Sequence, residues 1–181
     1  MLKRLLKIAG WLLAFLLVVG IGYAIAFTHW LTAHERALET GSQIAATARG
    51  PIEYAIAGQG VPILRIHGSP GGYDHSIIGA QARPQDIAGF QVIAVSRPGY
   101  LRTPLSSGAT PAEQADLYAA LLDEMGIERV FVHGISGGGP SALHFAAKYP
   151  QRTIGLVLVV PFLQSTQAYR GPMPAAGTGL P

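Results

Sequence analysis

Two regimes of hydrophobic patterning divide the chain. From Ile8 to Phe27 (IAGWLLAFLLVVGIGYAIAF) no charged residue occurs, and as a helix rising about 1.5 Å per residue such a run spans the roughly 30 Å hydrocarbon layer of a bilayer. Beyond Gln43 the apolar runs become short, are bounded by Gly and Pro, and alternate with longer stretches whose apolar residues recur three and four apart. That alternation predicts an α/β domain, a mostly parallel sheet with helices on both faces, preceded by one N-terminal transmembrane helix.

The expected domains are a membrane anchor at 1–28, a juxtamembrane short helix or linker at 29–42, a partial α/β domain at 43–165 and a disordered Gly/Pro/Ala-rich tail at 166–181. Gln43–Arg49 and Ile52–Ala57 flank Gly50-Pro51 and predict a hairpin. Pro62–Ile66 and Phe90–Val95 read as strands, the second covered on both faces because its apolar run is continuous. Ser76–Asp86 is helix or loop. Thr110-Pro111-Ala112-Glu113 forms a capping box with proline at the first helical position, and Gly126 stands where a helix-ending glycine belongs, which predicts a helix over Pro111–Met125. Its buried stripe is Leu117, Tyr118, Leu121, Leu122 and Met125. A strand over Arg129–His133, a helix from about Gly137 to Lys148 and a strand over Thr153–Val160 follow. The last is the most hydrophobic and is expected at the sheet centre.

Charge changes the picture at one end only. The chain carries 13 Lys and Arg against 10 Asp and Glu, a net charge of +3. Lys3, Arg4 and Lys7 account for the surplus, so the remainder has no basic face for nucleic acid, and no nucleic-acid partner is expected. The same three cations mark the cytoplasmic end of the anchor by the positive-inside rule, with Trp11 and Tyr23 toward the two interfaces, which places the domain outside. The rival reading is a cleaved signal peptide, with Ala24-Ile25-Ala26 as its cleavage site and a secreted product; the apolar run exceeds the usual signal length. The absence of cysteine excludes disulfides, thiolate nucleophiles and Cys-based metal sites. No cofactor or metal is expected.

Chemistry concentrates in three loops. Gly134-Ile135-Ser136-Gly137-Gly138 matches G-x-S-x-G between a strand and a helix, the setting of a nucleophile elbow. There the glycines keep side chains out of a tight turn, and the helix N-terminus favours developing negative charge. His67-Gly68-Ser69-Pro70-Gly71-Gly72 follows the strand PILRI, and Ser96-Arg97-Pro98-Gly99-Tyr100 follows FQVIAV. All three leave strand C-terminal ends, where open α/β sheets bind ligands.

With HGSPGG, SRPGY and GISGGG in this order, the sequence resembles the α/β-hydrolase family over about Gln43–Val160. The resemblance implies that Ser136 is the nucleophile, that the backbone amides of Ser69 and Gly137 form an oxyanion hole, that Gly134 and Gly138 permit the elbow, and that His67 and Gly68 support the oxyanion loop. A small-molecule acyl substrate is implied, an ester, amide or related acyl compound hydrolysed through an acyl-Ser136 intermediate. HGSPGG is also similar to the loop of proline iminopeptidases, and serine at the elbow speaks against the dehalogenases and epoxide hydrolases of the family. Ser96 and Leu101 stand where many relatives carry Asp and Gly. His133 and His144 are read as structural, Asp74 and His75 as loop residues, Tyr100 as pocket or packing aromatic, and His29 and His34 carry no motif.

The family's triad runs Ser, then Asp or Glu, then His. From Gly137 to Pro181 there is no Asp or Glu, and the one histidine is His144. The chain is therefore expected to hold the nucleophile half of a serine hydrolase, as a truncated or deliberately short form. A non-catalytic membrane-tethered binding module is the alternative.

Overall fold

The computed structural model describes residues 1–82 and 84–160. The chain divides into two units, Met1–Gly41 and Ser42–Pro181. The first is one helix, α1 (Leu2–Thr40), with no buried residue. Its apolar part is long enough to cross a membrane. The stretch expected as a short helix or linker continues the same helix, since neither Gly nor Pro interrupts 28–40, and the Gly41 amide closes it on the Ala37 carbonyl at 3.0 Å.

The second unit is a mixed six-stranded sheet with helices on both faces. Its elements are β1 (Gln43–Thr47), β2 (Gly50–Gly58), β3 (Val61–Ile66), α2 (Tyr73–Ala82), β4 (Phe90–Val95), α3 (Pro111–Glu124), β5 (Val130–Ile135), α4 (Gly139–Lys148) and β6 (Thr153–Val159). The strand order is β1-β2-β4-β3-β5-β6. β1 pairs antiparallel with β2, and β2 with β4, while β4, β3, β5 and β6 run parallel. The capping box and the left-handed Gly126 (φ +65°) stand where the sequence places them, whereas the opening hairpin forms with its turn at Ala48-Arg49, and Gly50-Pro51, expected as the turn, begin β2 paired with Thr47 and Ala46.

Side-chain alternation sorts the strands onto two faces. Ile52, Leu64, Ile66, Ile93, Val95, Val130 and Val132 meet Leu117, Tyr118, Leu121 and Leu122 of α3 and Phe145 of α4 in the main core. Each large side chain buried there stabilises the fold by about 1.5–3 kcal/mol. On the opposite face Tyr73 and Ile77 of α2 cover Ala55 and Ala94.

Two expectations are corrected. β6 lies at the edge of the described sheet, not at its centre. Its hydrophobicity reflects residues for both faces and says nothing of its neighbours; Leu156 and Leu158 pack on the core while Val157 and Val159 remain 48% and 40% exposed. The strand before the elbow also runs two residues further than expected, to Ile135, because Gly134 and Ile135 still pair with β3 and β6. Ser136–Gly138 then form a single 3-10 turn, and α4 starts at Gly139.

Candidate active site

The elbow is built from close backbone approach. Ser136 sits in the left-handed region at φ +47°, a conformation costing a non-glycine residue about 1–2 kcal/mol and tolerated where surrounding structure enforces it. That enforcement comes through missing side chains. A Cβ on Gly138 would lie 2.5 Å from the Ile66 carbonyl oxygen and 2.6 Å from that of His67. One on Gly134 would lie 2.6 Å from the Ala142 Cβ, so this glycine lets α4 close on β5.

The loop after β3 comes to the same place. A Cβ on Gly68 would be 3.0 Å from the Ser136 Cβ and 3.6 Å from its Oγ. Gly68 thus leaves the Ser136 side chain room beside the loop that carries the Ser69 amide. His67, Gly68, Ser69, His75, Ile135 and Ser136 line a cavity of about 220 Å³.

His67 is 1% exposed, and both of its ring nitrogens are engaged. Nδ1 donates to the Gly68 carbonyl at 2.6 Å, and Nε2 accepts from the Arg97 amide at 2.9 Å. Burial pushes its pKa down to about 4; the Gly68 bond opposes this, and the neighbouring Arg97 charge adds a weaker push in the same direction as burial. A neutral ring with no free nitrogen ties the β3 loop to the β4 loop and has none left to accept the serine proton.

The β4 loop is fastened through a carboxylate that sequence reasoning missed. Glu53 of β2, 1% exposed, accepts from Ser42 Oγ at 2.6 Å, Ser96 Oγ at 2.8 Å, the Arg102 amide at 3.1 Å and Arg102 Nε at 2.8 Å. Burial works to raise its pKa, but these hydrogen bonds outweigh it and hold the group below the ordinary carboxylate range. Ser96 Oγ also accepts from the Tyr73 amide at 3.1 Å, at the start of α2. Ser96 thus joins the Glu53 carboxylate to the start of α2. Leu101, in place of a family Gly, keeps the left-handed backbone at φ +45°, its side chain lying over Gly72.

Asp74 accepts from the Gly72 amide at 3.0 Å, a loop role. Tyr100 stacks edge-on against His67, with ring centroids 4.8 Å apart. His133 points to the sheet face away from α3 and α4, and burial beside Arg65 lowers its pKa. His144 is exposed on α4. Among the described residues none donates to or accepts from Ser136 Oγ, and no group of His, Asp and Glu is placed to hold a metal.

The sequence profile of the alpha/beta hydrolase fold matches residues 61–180. The chain is 40% identical over 109 residues to the uncharacterized hydrolase YcgS of Bacillus subtilis, covering 60% of this chain and 37% of that protein. It is 34% identical over 135 residues to a 2-hydroxy-6-oxo-6-phenylhexa-2,4-dienoate hydrolase of Comamonas testosteroni, covering 71% of this chain and 46% of that protein. An alpha/beta hydrolase fold protein from Nakamurella multipartita superposes with a TM-score of 0.62 at 47% identity, over 66% of this chain and 41% of the other. The chain thus spans less than half the length of these relatives.

Proposed function

Because the chain belongs to the alpha/beta hydrolase fold family, we propose that its site is that of a serine hydrolase acting on an ester, amide or related acyl bond of a small molecule. Ser136 Oγ attacks the carbonyl carbon and forms the C–O bond of a tetrahedral intermediate. The carbonyl oxygen takes up the negative charge between the Ser69 and Gly137 amides, and the leaving group departs with a proton, giving acyl-Ser136. The observation that carries this reading is the left-handed Ser136 at the end of β5, with Gly68 against its Oγ and Gly138 against the β3 backbone. His67, held neutral by its burial, fixes the oxyanion loop through its two hydrogen bonds.

The residues described here account for attack and charge stabilisation, and none is placed to take the serine proton. The oxyanion hole and binding alone are worth about 10³ to 10⁴ over water, and deacylation, which needs a base, is slow. With p-nitrophenyl acetate the full chain is therefore expected to release up to one equivalent of nitrophenolate and to carry an acetyl group on the peptide containing Ser136. Ser136→Ala should show neither. A second reading, a non-catalytic membrane-tethered module, draws support from the absence of a described partner for Ser136 Oγ. It predicts no acetylation in a folded chain.

The N-terminal helix is proposed as a single-pass anchor through residues 8–27, with Lys3, Arg4 and Lys7 cytoplasmic and the domain outside. Intact mass from the membrane fraction tests this: the full-length mass is expected, and a species beginning at Phe27 would make the segment a cleaved signal.

A further inference from the structure

The helix α1 runs on past its apolar stretch without a break, so the surface it presents beyond Phe27 continues a face that begins inside that stretch. At about 100° per residue, Trp30, Leu31, Ala33, Ala37 and Leu38 fall on one side of the helix, in an arc about 160° wide, with His34 among them. Glu35, Arg36 and Glu39, the charged residues beyond Phe27 in this helix, all fall on the other side.

Rings mark the centre of the apolar arc. Tyr23 and Phe27 stack with centroids 6.2 Å apart, Phe27 and Trp30 at 6.0 Å, and Trp30 and His34 at 5.1 Å. Tyr23, Phe27, Trp30, His34 and Ala37 follow one another by steps of four, three, four and three residues. That is the 3.5-residue repeat with which one helix keeps its seam facing another. All five are exposed on α1, Trp30 by 57%, and water covers such a ladder poorly.

The extent of the face selects what covers it. Lipid can meet Tyr23 and Phe27 within the proposed span, but Ala37 stands about 15 Å further along the helix axis than Phe27. A folded domain outside the bilayer can meet Ala37 and not Tyr23. A helix lying flat in the interface needs a bend near Phe27, and neither Gly nor Pro occurs from Tyr23 to Thr40. A second helix that crosses the membrane and continues outside meets the face along its whole length, and another copy of this chain supplies one with an identical face.

We propose that α1 pairs in parallel with α1 of a second copy along Tyr23, Phe27, Trp30, His34 and Ala37, which makes the protein a membrane-anchored dimer. The parallel orientation follows from a common direction of insertion. This rests on the segment being retained as an anchor, and the test separates the two claims. The chain has no cysteine, so single cysteines report contacts without background. Full chains carrying His34→Cys or Ala37→Cys on the seam, and Glu35→Cys or Glu39→Cys on the opposite side, are oxidised with copper phenanthroline in intact membranes and resolved on non-reducing gels.

The two seam variants are expected to give at least about fivefold more disulfide-linked dimer than the other two, because only seam positions meet across paired helices. Adding Trp30→Glu to Ala37→Cys should reduce that dimer by a similar factor, while adding Thr32→Glu should leave it. Equal linkage on both sides overturns the pairing, as does no linkage in membranes whose intact mass shows the full-length chain. Linkage of the seam cysteines to a different protein, in place of a second copy, overturns it as well. A species beginning at Phe27 defeats the anchor reading, and the pairing with it.

Discussion

On the β3 and β4 side of Ser136 the polar groups are tightly engaged, whereas on the β6 side the described surface is apolar and open. The first flank holds His67 with both nitrogens bonded and Glu53 with four donors on its two oxygens. The second presents Val157 and Val159, 48% and 40% exposed. The contrast teaches that the loops after β3, β4 and β5 are fastened to one another firmly through hydrogen bonds and close backbone approach on this one flank. The contacts described for them come from β2, β3, β4 and β5, from the loops between these strands, from Ser42, and from Ala142 of α4.

The largest test of that rigidity is Arg102→Met. Removing one partner of a buried pair strands the other charge, and Glu53 is 1% exposed with Arg102 Nε 2.8 Å away. A loss of about 3–5 kcal/mol is expected from denaturant unfolding at neutral pH. Because the Glu53 pKa is depressed in the fold, its contribution is present above the unfolded value and disappears as pH falls through the folded one. The gap between the two proteins should therefore narrow in acid.

His67 gives the next effect. Its folded pKa of about 4 lies below the ordinary 6.5, so between these values the unfolded chain binds more protons, and stability is lost as the pH is lowered from about 6.5 to about 4. A loss of about 3 kcal/mol across that window is expected, absent from the pH profile of His67→Gln. Leu101→Gly should stabilise by less than about 1 kcal/mol, since relief of the left-handed strain at φ +45° is partly offset by glycine's larger unfolded-state entropy. On the open flank, Val157→Thr should shift stability by under about 0.5 kcal/mol. A large loss there would mean that the β6 face is covered, and the two flanks alike.

What the sequence revealed follows the range of the signals. The capping box joins Thr110 to Glu113, three residues apart, and stands as read; the hairpin is present, but its turn is Ala48-Arg49 and not Gly50-Pro51, which pair with Thr47 and Ala46 at the start of β2. The three motif loops were legible because strand ends carry them, and parallel pairing of β4, β3 and β5 brings them together. Glu53 was not legible, because its bond to Arg102 spans 49 residues and a lone charge in a strand reads as solvent-facing. The one hint was Ser96 where the family places an acid. β6 was misplaced because strand hydrophobicity does not encode neighbours, and the approach of the Arg97 side chain to Gly137 depends on where a long side chain ends, which no spacing shows.

The claim beneath all of this is that Ser136 is held ready as a nucleophile by the rigid flank alone. Treatment of the folded full chain with a fluorophosphonate, followed by peptide mass mapping, tests it most directly. One adduct is predicted, on the peptide containing Ser136 and absent from Ser136→Ala. A folded chain that takes no label, or labelling that persists in Ser136→Ala, would contradict it.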